Sequence, residues 1–204
     1  MKKVLLTILF WIGSLTWGLP LTIVGLGVAI ALLATGHKPY KFGPAIYFTA
    51  LDGAGFEMGP FFLAPKEGGS FYLCSHELGH GWQNLILGPF MIFAVTIPSA
   101  SRFWVREIKE RFDKLKFIII LSCIGTMMGA ALMVIGILTN LVWLCIVGAI
   151  VIGYFICLGF WLKTSELRKE DLKQKNDYND FYVEADASYR GENFMKKYFP
   201  DEVK

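Results

Sequence analysis

Ionisable side chains are missing from two long stretches of this chain. No Asp, Glu, Lys or Arg occurs from Val4 through Gly36, and none from Phe117 through Leu162. An uncharged apolar run of about 18 or more residues is long enough to cross a bilayer. Charged residues are only 18% of the chain, below the soluble norm of about 25%. Together these shortages exclude an ordinary soluble domain and predict an integral membrane protein. Histidine is scarce as well, at three in 204 residues, so a pattern built from histidines stands out. The four cysteines do not form a disulfide framework. Cys123, Cys145 and Cys157 fall in the second apolar block, where cysteine behaves as a small apolar residue. The net charge of +3 is too small for a nucleic-acid surface, and the basic residues read as membrane-flanking.

Met1-Lys2-Lys3 followed by an apolar run resembles the start of a secretory signal. The run continues far past a signal core without an Ala-x-Ala cleavage site, so residues 1–36 read as an uncleaved N-terminal membrane anchor. Gly18-Leu19-Pro20 near its middle predicts a single proline-kinked span, with a re-entrant hairpin as the alternative. Residues 117–162 are about twice the length of one span, and Thr139-Asn140 interrupts them, which predicts a transmembrane hairpin of helices over 117–138 and 141–162.

Residues 37–116 carry a different pattern. Ala45–Leu51 and Phe56–Leu63 have strand-like composition about the turn Asp52-Gly53-Ala54-Gly55, which predicts a small β-hairpin whose edge is open to an extended substrate. Leu85–Ser101 is apolar but broken by Gly88-Pro89 and Pro98, and reads as an interfacial or re-entrant segment. Arg102–Lys116 mixes Arg and Lys with Glu and Asp and reads as a charged surface helix. The fold class is therefore mainly α, integral to a membrane, with about three transmembrane helices, a small β-hairpin and, since His76-Glu77-Leu78-Gly79-His80 reads HExxH, a membrane-associated zincin-like helix.

That helix contains His76-Glu77-Leu78-Gly79-His80, an HExxH pattern with two of the three histidines. Residues four apart share one helix face, so both imidazoles can reach one Zn²⁺. Glu77 is rotated by about 100° from His76, placing it where a carboxylate can take a proton from an attacking water. Ser75 or Ser70 can cap the helix start. Cys74 falls on nearly the opposite face and is a poor ligand for the same ion.

Two histidines leave a catalytic zinc one protein ligand short. Residues 163–204 form a charged, cytoplasmic C-terminal segment, and the aromatics among its charges from Tyr178 onward predict that it folds back. Within it, Glu184 is the first choice for the third ligand, because His₂Glu is a recurrent catalytic set. Asp186 and His37 remain the other choices. Asp186, Tyr182, Tyr189 and Arg190 are candidates for an outer hydrogen-bonding layer or an oxyanion donor.

His76–His80 resembles the HE-x-GH helix of membrane-embedded metallopeptidases of the HtpX and CAAX-prenyl-protease type. That resemblance implies a third glutamate on a later helix, in a Glu-x-x-x-Asp motif beyond intervening spans. Glu184 matches the glutamate, while Ser188 stands where the motif has Asp. His76–Phe90 with Ile97-Pro98-Ser99 also resembles an uncharacterised bacterial membrane family with a late Glu-x-x-Ala-x-x-x-Gly. Gln83, Asn84, Gly88 and Pro89 match its early part, and Glu184, Ala187 and Gly191 its late part.

Basic residues crowd both 102–116 and 163–175, flanking the apolar hairpin on one side, which the positive-inside rule makes cytoplasmic. The expected protein is a zinc metallopeptidase of a bacterial inner membrane, acting on a peptide or membrane-protein substrate. The alternatives are a non-catalytic binding or assembly protein with a structural or vestigial metal site, and a metal-dependent hydrolase of a lipid or other amide.

Overall fold

The computed structural model describes residues 2–52, 55–168 and 181–203. Gly53 and Ala54 of the predicted turn lie outside the described residues, as do Tyr178 and the basic residues Lys169, Lys173 and Lys175. The chain divides into two compact units, one within Met1–Ile97 and Asn179–Lys204, the other within Pro98–Tyr178. It is mainly helical with one small sheet.

In the first unit, α1 (Lys2–Leu15) and α2 (Leu19–Ala34) meet at a bend of 100°. Gly18 and Pro20 account for the break, since proline is tolerated in a first helical turn and not in an interior. The expected single kinked span is therefore two short helices at nearly a right angle. One face of the pair is packed, as Phe10, Leu21 and Ala29 show, whereas Val4, Ile8, Ile12, Ile23 and Ile30 are exposed.

The predicted two-stranded hairpin is corrected to a four-stranded mixed sheet, in the order β1 (Pro39–Phe42), β2 (Ala45–Leu51), β4 (Phe61–Pro65), β3 (Phe56–Met58). β2 pairs antiparallel with β1 and parallel with β4, while β3 and β4 form a tight antiparallel pair. The segment read as one strand over 56–63 is folded in two at Gly59-Pro60, where Gly59 adopts φ 75°. A Gly-Pro pair inside a strand pattern is a turn signal.

Two helices complete this unit: α3 (Phe71–Leu87), and the C-terminal helix (Tyr182–Tyr198), labelled α7 in chain order after those given below. Ser70 caps α3 by accepting a hydrogen bond from the Leu73 amide at 3.2 Å, and Gly88, with φ 55°, ends it. Phe10, Phe42, Phe62, Leu78, Phe194, Met195 and Phe199 form a buried core between α1, the sheet, α3 and α7. Each such side chain contributes roughly 1.5–3 kcal/mol by leaving water. Beyond α7, Asp201 pairs with Lys3 at 2.6 Å and Glu202 accepts from the Gly43 amide at 2.7 Å, so α7 is held past its end as well as along its face.

The second unit holds α4 (Ile97–Glu107, entered from the first), α5 (Arg111–Leu138) and α6 (Val142–Leu162), which continues into a π-turn over Lys163–Leu167. The predicted charged helix over 102–116 is instead divided between the end of α4 and the start of α5. The break between α5 and α6 falls at Thr139-Asn140, where Asn140 takes φ 55° and the Leu141 amide closes on the Gly136 carbonyl at 2.8 Å. Arg102 and Glu166 form a buried ion pair at 2.6 Å that ties α4 to the π-turn.

Among the described residues, two helices are long and apolar enough to cross a membrane, Arg111–Leu138 and Val142–Leu167. The number rises to four if each of two bent pairs is one span, α1 with α2 and Phe71–Phe90 with Ile92–Glu107. α3 is only 17 residues long, and its polar face is covered by α7, which carries Glu184, Asp186, Arg190, Glu192, Lys196 and Lys197.

Candidate metal centre

α3 and α7 pack with almost no space between their backbones. A Cβ at Gly79 would fall on the Ala187 carbonyl oxygen, and one at Gly191 on the Ser75 carbonyl oxygen. Glycine is required at both positions, and this close approach lets a short carboxylate side chain on α7 reach α3. Glu184, in the first turn of α7, is fully buried there.

His76, His80 and Glu184 converge, each offering one ligand atom. His76 Nε2 lies 3.1 Å from Glu184 Oε2, His80 Nε2 lies 3.3 Å from the same oxygen, and the two Nε2 atoms are 3.2 Å apart. The fit to zinc is testable from these edges alone. An ion at about 2.05 Å from all three atoms would subtend angles of about 98–107° across edges of 3.1–3.3 Å, close to tetrahedral. Three protein ligands in that geometry leave one position for a water or substrate. The His76 and His80 side chains remain 14% and 10% exposed, so the open side is reachable.

The other nitrogen of each imidazole is also engaged. His80 Nδ1 lies 2.8 Å from Gln83 Oε1, and the Gln83 amide nitrogen donates to the Val183 carbonyl at 2.8 Å and to Asp186 Oδ2 at 3.0 Å. Those two acceptors fix the amide orientation, so Nδ1 of His80 carries its proton and Nε2 is left to ligate. His76 Nδ1 lies 2.8 Å from Ser188 Oγ, which is 3.4 Å from the Tyr72 hydroxyl. Ser188, at the position where the resemblance has Asp, thus makes the contact with a neutral hydroxyl. The sequence reading used Gln83 only as a motif match. Its i, i+3 spacing from His80 is the local signal for this contact.

Glu77 is 5% exposed, with Oε1 against the Gly55 backbone at the entry to β3. Burial pushes its carboxyl above the ordinary range, the two histidines oppose this, and Glu184 adds to it. A raised carboxylate is the stronger base. Burial works against a charged His80, but the Glu184 hydrogen bond, the Glu77 and Glu184 charges and Gln83 outweigh it and hold its pKa at about 9.

The remaining candidates have separate places. Asp186 accepts from Gln83 and from Arg190, the latter at 2.6 Å. Partial burial opposes its ionisation, yet the Arg190 and Gln83 hydrogen bonds prevail and keep it below the usual carboxylate range. Arg190 is occupied by that pair, and Tyr182 and Tyr189 are exposed at 68% and 72%. His37 bonds to Thr35 at 3.0 Å and is exposed. Cys74 is buried in the core, where burial and then the Glu77 charge push its thiol up to about 12. One acid had no sequence signal. Glu57 on β3 is 6% exposed, and its Oε1 accepts from the Gly59 amide. Burial drives its pKa up to about 8 despite His80 and that amide.

No protein-family model matches the chain, and no curated protein or solved structure matches it to a significant degree.

Proposed function

We propose that this chain is a zinc-dependent membrane metallopeptidase of the HE-x-GH type, hydrolysing peptide bonds near the cytoplasmic face of a bacterial inner membrane. The supporting observation is the convergence of His76 Nε2, His80 Nε2 and Glu184 Oε2 into a near-equilateral triangle, with the Glu77 carboxylate on the adjoining helix position. Two imidazoles and one carboxylate are a borderline donor set that suits zinc. When bound there, zinc polarises a carbonyl and lowers the pKa of water to about 7.

The chain's own residues supply the rest. Glu77 takes the proton of the attacking water, and that proton is the one the departing amide nitrogen needs when the C–N bond breaks. Gln83 and Ser188 hold the imidazoles in the ligating orientation. α5 and α6 anchor the chain in the bilayer, and the basic residues at the ends of that hairpin set its cytoplasmic side.

The test uses the full chain in lipid nanodiscs, with metal content and proteolysis measured for wild type, Glu77→Gln and His80→Ala. Wild type should carry one zinc per chain. Glu77→Gln should keep it while losing about 10²–10⁴-fold in cleavage. His80→Ala should lose the metal. Full turnover by Glu77→Gln, or no zinc in wild type, overturns the assignment. For topology, a thiol-reactive label added to inside-out vesicles should reach both Glu110→Cys and Glu192→Cys, and labelling of the two from opposite faces overturns the arrangement.

A further inference from the structure

The second unit contains a cleft of about 670 Å³ at the end of the α5–α6 hairpin where the apolar runs meet charge. Three cations line it: Arg111 at the start of α5, Lys163 at the end of α6, and Arg168 just beyond the π-turn. Among the described residues Glu110 is the one acid that also lines it, against three cations. Apart from Thr164, the remaining described wall is apolar: Phe112, Leu115, Phe160 and Leu167. Phe112 and Phe160 are 67% and 69% exposed, a large apolar area to leave beside clustered positive charge.

The position of the cleft follows from helix geometry. Phe117–Leu138 of α5, free of charge, runs about 33 Å at ~1.5 Å per residue, close to the roughly 30 Å hydrocarbon layer. Phe117 and Leu162 therefore mark the edge of that layer. From Phe160 to Arg168 the chain rises about 12 Å, which covers the headgroup zone of one leaflet, roughly 5–8 Å deep, and reaches the first acyl carbons. Arg111, Lys163 and Arg168, with Phe112 beside Arg111, lie on the outer side of that edge, Leu115 lies close to it and Phe160 just inside it, an order that matches an amphiphile with an anionic head. A soluble anion would use the cations and leave the Leu115 and Phe160 wall unused. Basic pockets between membrane helices on the cytoplasmic side suit acidic headgroups on general electrostatic grounds.

We propose that this cleft binds one anionic phospholipid of the bilayer, its phosphate among Arg111, Lys163 and Arg168 at the level of Phe112 and its first acyl carbons along Leu115 and Phe160. The inference rests on the reading that α5 and α6 cross the membrane, and it concerns a site built from residues other than those of the metal centre.

The full chain is reconstituted in vesicles of mixed phosphatidylglycerol and phosphatidylcholine, extracted gently, and its retained lipid counted by native mass spectrometry. Wild type should retain one phosphatidylglycerol with at least about tenfold enrichment over its share in the vesicle. Arg111→Gln, Lys163→Gln and Arg168→Gln combined should reduce retention to that share. A charge-matched control, Lys66→Gln with Lys196→Gln and Lys197→Gln, should retain as wild type does. Leu115→Trp, which fills the cleft and keeps every charge, should also lose the lipid. Equal retention by the cleft variants and wild type overturns the site, as does displacement of the lipid by millimolar inorganic phosphate, which marks a simple anion site. Alkaline carbonate extraction separates the two failures. Release of wild type from vesicles overturns the membrane-crossing reading together with the site, whereas a chain that stays embedded without lipid selectivity overturns the site alone.

Discussion

The α3–α7 pair and the α5–α6 hairpin use the same packing device for opposite ends. In the hairpin, a Cβ at Gly129 would lie 2.6 Å from the Gly148 carbonyl oxygen, and one at Gly148 would lie 2.5 Å from the Gly129 carbonyl oxygen. In the other pair Gly79 faces Ala187 and Gly191 faces Ser75 with as little room. Small residues set the separation in both. Around the hairpin's glycines the side chains are apolar or sulfur-bearing, such as Ile152, Met133 and Cys145. Around those of α3 and α7 they include Glu77, His80, Gln83 and Glu184, all buried. Close approach is therefore a neutral tool. The side chains one turn from the glycine decide whether it yields a smooth apolar seam or a cluster of buried groups able to ligate a metal. The second choice is the more demanding, because each buried polar group needs a partner.

The strongest test of that contrast is removal of the carboxylate. Glu184→Ala should weaken zinc binding by more than about 100-fold, above the range expected for outer partners. Gly148→Ala should leave zinc affinity unchanged, as read by competition with a chromophoric chelator. A hairpin substitution that released zinc would break the comparison.

A smaller effect separates packing from ligation. Gly79→Ala drives a methyl group into the Ala187 carbonyl, an overpacking cost of about 1–3 kcal/mol. Both zinc affinity and thermal midpoint should fall. Gly153→Ala on α6, where a Cβ meets nothing within 4 Å, should change neither.

Gln83→Ala comes next. It removes the acceptor of His80 Nδ1 and the bridge to Val183 and Asp186, so zinc affinity should drop about 10–100-fold. Ser188→Asp should instead tighten binding, because a carboxylate is a stronger acceptor for the His76 Nδ1 proton. Isothermal titration on the two variants gives opposite signs if this account holds.

The last effect is a slope read across pH. Burial holds the Glu57 pKa at about 8 in the fold against the ordinary 4.5. A raised acid contributes stability that is complete below the unfolded pKa and is lost progressively as pH rises to the folded one. In metal-free protein this group should make stability fall between pH 4.5 and about 8, by roughly 1.4 kcal/mol per pH unit. Glu57→Gln keeps the acceptor for the Gly59 amide and should flatten that slope in thermal melts.

What could be read in advance divides along range. The helix at 71–87, its Ser70 cap, its Gly88 stop and the shared face of His76 and His80 are local, and spacing reveals local features. Glu184 was readable by counting ligands, and the fold brings it to the histidines. The sheet was not readable in the same way. β2 pairs in parallel with β4 and not with its sequence neighbour β3, and no short-range pattern encodes that choice. The Gly59-Pro60 turn was visible but was overridden by the strand composition around it. Gly18 and Pro20 marked the break in the N-terminal run. Its 100° angle depends on packing of Phe10 and Leu21 that no window of sequence contains.

The separation of 104 positions from His80 to Glu184 also sets a schedule. At a synthesis rate of about 5–20 residues per second, the two-histidine half of the centre exists for roughly 5–20 s before its third ligand is made. Both apolar helices of the hairpin are translated within that interval. A nascent or stalled chain ending before Glu184 can hold an ion only through two imidazoles, and therefore weakly. Under the proposed assignment, tight loading would wait until α7 has been made and has closed on α3, so a fully metallated chain would be one whose intervening segments are already complete.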